Sequence, residues 1–253
     1  MFIFLLSACS PEKPVEIEGM VYIPSGEFIL GSDEIDSSGL AREFGAREKR
    51  FYENEKPYQK IFLEDFYIDK YEVTNESYKN FVEKTNHPLP RNWKDNTFEK
   101  GKKFHPINYV TWADASAYCK WAGKRLPTEF GWEKAARGPK GNRFPWGNEF
   151  DKNKANLDSN RTTPVGSMPG DKSFYGVFDM GGNVMEWTDS WYKPYPGSTM
   201  KNKNFGEKFK IARGGTGNVS GHYLLKTIFS RSTFRAYYRV DLDVRDIGFR
   251  CAK

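Results

Sequence analysis

Ala117-Tyr118-Cys119-Lys120-Trp121-Ala122-Gly123-Lys124-Arg125-Leu126-Pro127-Thr128-Glu129 reads as the end of one helix, a short link and the start of the next. Gly123 stops the first helix, and Thr128 caps the second. Upstream, Thr111 followed by Asp114 resembles a capping box with Asp in place of Glu. Trp112, Ala115, Cys119 and Ala122 then share one face at helical spacing, so Cys119 points inward. The second helix runs through Phe130, Trp132, Ala135 and Ala136 and closes at Arg137-Gly138-Pro139.

Further out, Thr74 caps a helix striped by Tyr78, Phe81 and Val82 up to Asn86, with Pro88 and Pro90 beyond it. Ile61-Phe62-Leu63 and Phe66-Tyr67-Ile68 read as strands. Gly19 to Leu30 reads as a hairpin turning at Pro24-Ser25-Gly26-Glu27, and residues 31–58 as a long surface loop. Residues 139–180 are rich in Gly, Pro, Asn and Asp; so much irregular chain needs a metal, a disulfide or aromatic pins to hold it. In Gly181-Gly182-Asn183-Val184-Met185-Glu186-Trp187, Asn183 and Glu186 offer side-chain oxygens of the kind that suit Ca²⁺. The competing reading is a strand whose Glu pairs with an Arg. Trp187 and Trp191 read as core anchors. These elements describe an α+β chain.

Near the C-terminus, Arg213-Gly214-Gly215 and Gly248-Phe249-Arg250-Cys251 bracket a segment, residues 216–247, that contains no Glu, Gln, Trp, Met or Pro. Lys226 is its single Lys. Tyr and Phe beside Ser, Gly and Asn is the palette of contact surfaces. Core strands use some of the same residues, but no clean alternation runs through the stretch. Irregular, surface-exposed structure is the expectation over much of it.

With 253 residues the chain can bury a substantial core. The net charge of +6 is spread without a dense Lys/Arg run, so nucleic acid is not expected as a partner. Met1 to Ser10 is an apolar run too short to span a bilayer. Its Leu6-Ser7-Ala8-Cys9 looks like the back half of a bacterial lipoprotein signal, with Cys9 the lipidated residue. Pro11 to Pro14 then reads as a tether, and the protein as lipid-anchored on the outer surface of a bacterial envelope. Residues 1–9 are thus a signal remnant, 10–18 a tether and 19–253 the folded domain. Cys119 and Cys251 remain, either as one disulfide or as two separate buried thiols.

Several stretches, in order, resemble the formylglycine-generating-enzyme family, also called the sulfatase-modifying-factor domain. They are Gly19 to Phe28, Tyr71 to Asn75, Ala117 to Glu129, Trp132 to Gly138, Phe144 to Gly147, Gly182 to Trp187, Arg213 to Gly215 and Gly248 to Cys251. The resemblance implies a single domain with a C-type-lectin-like core and much loop, and a disulfide between Cys119 and Cys251. It implies a calcium site at Gly181, Asn183, Val184 and Glu186, and a second near Asn156, Leu157 and Asp158. The family's oxidase chemistry needs a cysteine pair shortly after the Gly-Gly to bind copper. Here Thr216 to Leu224 has no Cys, which leaves neither a soft copper ligand nor a thiolate. Related iron enzymes use clustered histidines, whereas His87, His105 and His222 are far apart in the chain. Neither copper nor iron is expected, and the chain reads as a non-enzyme.

What remains resembles the variable proteins of diversity-generating retroelements, in their treponemal lipoprotein form. In these, adenine-directed mutagenesis rewrites the segment between RGG and GFR, typically at Asn-type codons that cannot yield Glu, Gln, Lys, Met or Trp. The composition of residues 216–247 matches that set apart from Lys226. The implied function is display of a diversified surface to an unknown protein or other surface ligand. Asn218, His222, Tyr223, Leu224, Phe229, Phe234, Tyr237, Tyr238 and Leu242 are the expected contacts. Arg231, Arg235, Arg239 and Arg245 are expected to brace the framework through carboxylates or carbonyls. The alternatives are an accessory envelope lipoprotein with one partner and, behind it, an enzyme of altered chemistry.

Overall fold

The N-terminal strands pair across the chain rather than with each other. In this computed structural model, which describes residues 14–35, 50–218 and 223–253, β1 (Met20–Ile23) and β2 (Gly26–Leu30) do not form the expected hairpin. After the short helix α1 (Arg50–Glu53), β3 (Gln59–Leu63) pairs antiparallel with β2, and β4 (Phe66–Asp69) with β1. Lys134 explains the open corner. Its buried ammonium donates to the carbonyls of Pro24, Gly26 and Leu63 at 2.6, 3.1 and 3.3 Å, gathering carbonyls that a tight hairpin would turn elsewhere. The expected surface loop over 31–58 is also corrected: its described part includes α1 and the buried Asn54 and Glu55.

Three threonines start the three longer helices, as their spacing predicts. Thr74 caps α2 (Asn75–Thr85), Thr111 caps α3 (Trp112–Trp121) and Thr128 caps α4 (Glu129–Arg137). At Thr111 the reciprocal box is complete: the hydroxyl accepts from the Asp114 N–H at 3.2 Å, and the Asp114 carboxylate accepts from the Thr111 N–H at 2.9 Å. Helices α2 and α3 meet through aromatic rings, with Tyr78 stacked on Tyr118 at 5.8 Å and Phe249 set edge-on to Tyr118 at 5.3 Å. Cys119, on the inward face of α3, is bonded to Cys251, with Cα atoms 5.6 Å apart. In the chain-entropy picture, a cross-link spanning 132 residues stabilises by about 4–5 kcal/mol. Beyond it, Ala252 bridges both Ile68 and Arg125, so the C-terminal residues stitch β4 to the α3–α4 link.

A four-stranded sheet in the order β7-β6-β5-β8 completes the α+β architecture. It comprises β5 (Met185–Trp191), β6 (Lys210–Arg213), β7 (Ala236–Tyr238) and β8 (Ile247–Gly248), with helix α5 (Tyr223–Phe229) between β6 and β7. Trp187 of β5 is fully buried, as an anchor should be. The irregular chain from 139 to 180 is held by stacked Phe144 and Trp146 and by buried carboxylates that cap backbone N–H groups. Asp171 accepts from the Gly181 N–H at 2.9 Å, and Asp179 from that of Gly166 at 2.5 Å.

Candidate functional site

Four arginines near the C-terminus are pins. Arg213 reaches Glu129 and Glu133 of α4 at 3.2 and 2.6 Å, and Arg235 clasps Glu129 at 2.6 and 2.9 Å. Arg231 forks onto Glu55 at 2.6 and 2.7 Å, and Arg250 onto Glu186 with both contacts at 2.6 Å. All four are buried, and such planar two-point pairing is what a guanidinium does best. The expectation that Arg231 and Arg235 brace the framework matches their contacts. The RGG turn follows from close packing: Gly214 is left-handed at φ 85°, and a Cβ on Gly215 would sit 2.3 Å from the Gly181 carbonyl.

These pins correct the picture of residues 216–247 as an exposed, irregular surface. Thr216, Gly217 and the run from Ser230 to Ala236 are buried, and α5 and β7 are regular. Phe234 is 5% exposed and packs on Phe51 and Phe229, so neither Phe234 nor Phe229 presents an open ring. Tyr237 stacks on Tyr192 at 4.0 Å and its hydroxyl accepts from Asn204; Tyr238 sits edge-on to Trp187. Apolar rings that close on core partners lose water there, and this outweighs any advantage of display. Leu242 is half-buried in the turn after Arg239. His222 lies outside the described residues, as do Cys9 and the side chains of Tyr223 and Leu224, whose backbone opens α5. Among the described residues, Asn218 is the expected contact that reaches an open cleft.

That cleft, of about 280 Å³, lies where Thr216 and Asn218 face Arg245 and Asp246 across the loop from Asn160 to Thr162. Its floor and far wall include Asn75, Lys102, Asn108 and Tyr109. Arg245 spans the rim, donating to the side-chain carbonyls of Asn160 (3.1 Å) and Asn218. Asn108 donates to the Arg245 carbonyl at 2.8 Å, which ties the rim to the wall. Lys226 of α5 pairs with Asp158 and anchors the same loop from behind. Beside the cleft, His105 meets the Thr162 hydroxyl at 2.9 Å. Burial pushes its imidazole pKa down, and the nearby Lys102 cation adds to the shift. Sequence reasoning missed this wall. The residues arrive from positions 75 to 246, and the run of Asn and Thr within 156–163 was the one local sign.

At the expected calcium site, the Asn183 and Glu186 side chains have protein partners. The Asn183 side-chain oxygen accepts from the Thr163 N–H and from Asn156, and its amide donates to Glu72. The N–H groups of Gly181 and Val184 donate to Asp171 and Glu72. The Glu186 carboxylate is taken by Arg250 and by the Trp132 indole at 2.8 Å. This is the strand Glu paired with an Arg that the sequence also allowed. Among the described residues, no three of His, Cys, Asp and Glu gather as a metal-holding group. His87 pairs instead with Asp114 at 2.8 Å. Burial pushes the Glu72 and Asp171 carboxyls well up, with Asp179 adding to both, and raises Asp179 to about 6.

The chain belongs to the sulfatase-modifying factor enzyme 1-like domain family, which it matches over residues 7–253. Serine/threonine-protein kinase pkn1 of Chlamydia caviae is 38% identical over 189 residues; the match covers 68% of this chain and only 28% of the kinase. The formylglycine-generating enzyme of Mus musculus is 28% identical over 304 residues, covering 96% of this chain and 77% of that protein. The inactive C-alpha-formylglycine-generating enzyme 2 of the same species is 28% identical over 291 residues, covering 92% and 85%. The family thus holds, on one fold, a named catalyst and a protein named inactive. Among solved structures, PvdO from Pseudomonas aeruginosa superposes with a TM-score of 0.69 at 25% identity, covering 92% of this chain and 93% of that one. Treponema denticola variable protein 1 superposes at 0.68 with 20% identity, covering 92% and 94%, and so shares the fold.

Proposed function

We propose that this protein is a non-catalytic binding lipoprotein, anchored through Cys9 at the outer surface of a bacterial envelope. Its ligand, a protein or other surface molecule, is engaged at the cleft between Asn218 and Arg245. The observation that carries this reading is the pairing of an open polar cleft with a segment, Thr216 to Leu224, that has no cysteine. Thiolate chemistry has no atom to start from there, while hydrogen-bonding groups converge. Diversification belongs to the same proposal, now restricted to positions that face the cleft. A calcium ion also belongs to it. Glu72, Asp171, Asp179 and Glu186 are buried in the field of Arg250, a surplus of negative charge that a hard cation would offset. Such an ion would lean on backbone carbonyls, with Glu186 remaining on Arg250.

Sequencing codons 213–253 across many clones of the source population tests the reading. Substitutions concentrated at Asn218 and its cleft-facing neighbours, with Arg213, Arg231, Arg235 and Arg250 unchanged, are the expected result. A segment that never varies would remove diversification and leave an accessory lipoprotein with one partner.

A further inference from the structure

The cleft at Asn218 has a chemistry of its own. Three cations line it, Lys102, Arg161 and Arg245. Among the described residues, Lys102 and Arg161 have no ion-pair partner, and Arg245 has only Asp246 at 3.7 Å. The Arg245 guanidinium is instead held by two neutral amide oxygens, those of Asn160 and Asn218. Amide oxygens orient a guanidinium without neutralising it, so the charge stays available to an incoming anion.

The other lining groups pair donors with acceptors. Asn160 and Asn218 spend their oxygens on Arg245, and their NH₂ groups have no intramolecular partner among the described residues. Asp246 adds a carboxylate oxygen, buried and without a hydrogen-bond partner. A buried acceptor of this kind is costly to leave unmade and calls for a donor from a ligand or water. Free amide donors beside a carboxylate oxygen that lacks a hydrogen bond suit hydroxyl groups, each of which accepts and donates at once. Tyr109 supplies a ring at the same wall. Its backbone is left-handed, φ 56°, a conformation that bulky residues adopt rarely and that clusters at ligand sites. The cleft shares Asn92, Phe98 and Glu99 with a second depression of about 650 Å³, which is lined by Lys94 and Lys100 and by the carboxylates of Asp95 and Glu99. It therefore has the extent of a short chain rather than of one small molecule.

We propose that this groove binds an acidic oligosaccharide. Carboxylates of the glycan meet Arg245, Arg161 and Lys102, its hydroxyls meet Asn160, Asn218 and Asp246, and a sugar face lies against Tyr109. This rests on the reading of the cleft as the binding site and adds the class of ligand. An acidic peptide would meet the same cations, but it brings few hydroxyls for the amides and for Asp246.

The test is calorimetric titration of the full chain with three acidic glycans: trigalacturonate, hyaluronan tetrasaccharide and 3′-sialyllactose. Cellotetraose and hexaglutamate serve as neutral-glycan and acidic-peptide comparisons. Saturable binding of at least one acidic glycan, weakened about tenfold or more in both Arg245→Gln and Arg161→Gln, is expected. Thermal melts establish that each variant is folded; both side chains lie at the cleft, outside the buried ion pairs. Equal binding of cellotetraose or hexaglutamate, or no binding of all three acidic glycans to folded protein, overturns the proposal. Binding of a comparison ligand that the variants weaken leaves the binding reading intact. An invariant segment 213–253 counts against diversification whatever the glycans do, so the two failures are told apart.

Discussion

Arg231 places its guanidinium 3.9 Å over the Tyr52 ring, with both amino groups on Glu55 and one also on the Phe51 carbonyl. Neither charged side chain is exposed to solvent. A buried pair of this sort adds little net stability against a well-packed apolar substitute, but losing one partner strands the other charge. Arg231→Gln is therefore expected to destabilise the protein by about 3–5 kcal/mol, read from urea unfolding. Asn218→Ala, at the cleft rim, is expected to stay within about 0.5 kcal/mol. Comparable losses in the two variants would overturn the division between pin and contact. That Arg231 braces the framework was legible from its residue type and setting. Its partner was not: Glu55 lies 176 positions away, and nothing local marks it.

Helix α4 shows what an element can hide. Its cap and its apolar residues Trp132, Ala135 and Ala136 were readable, yet Glu129, Glu133, Lys134 and Arg137 are buried as well. Each is satisfied from outside the helix, and a buried charge is tolerated only on that condition. For Glu133, burial pushes the carboxyl pKa up. The Arg213 and Arg137 cations, with hydrogen bonds from the Gly31 N–H and the Tyr195 hydroxyl, outweigh that effect, and the net shift is down. A pKa held below its unfolded value contributes stability that is present above the usual carboxylate range, near pH 4.5, and is lost as pH falls through the folded value. The raised carboxyls of Glu72, Asp171 and Asp179 act in the opposite sense, so the effect must be isolated by difference. Melting temperatures of wild type and Glu133→Gln should differ most near pH 6 and converge toward pH 3. A gap that stays constant with pH would remove Glu133 as the source of the acid limb.

At the scale of the molecule, the surplus of buried carboxyls around Arg250 predicts that calcium stabilises the fold. An ion bound only by the native state raises the melting temperature, by about 2–4 °C for each kcal/mol in a protein of this size. Scanning calorimetry with calcium chloride and then with chelator should separate the two midpoints; coincident midpoints would sink the proposed ion. The Cys119–Cys251 bond was expected through family resemblance, while residue spacing alone left free thiols open. Helix starts were determined by the sequence itself, because Thr74, Thr111 and Thr128 satisfy N–H groups only three residues away. The absence of a cysteine from Thr216 to Leu224 was equally plain. Exposure was not: the aromatic and Ser/Gly/Asn composition of residues 216–247 suited a displayed surface, yet the run from Ser230 to Ala236 is buried. Only the tertiary structure decided which of those residues face solvent, how β1 to β4 pair, and that a cleft exists. Its walls come from distant parts of the chain, and they meet only once the buried arginines have found their carboxylates.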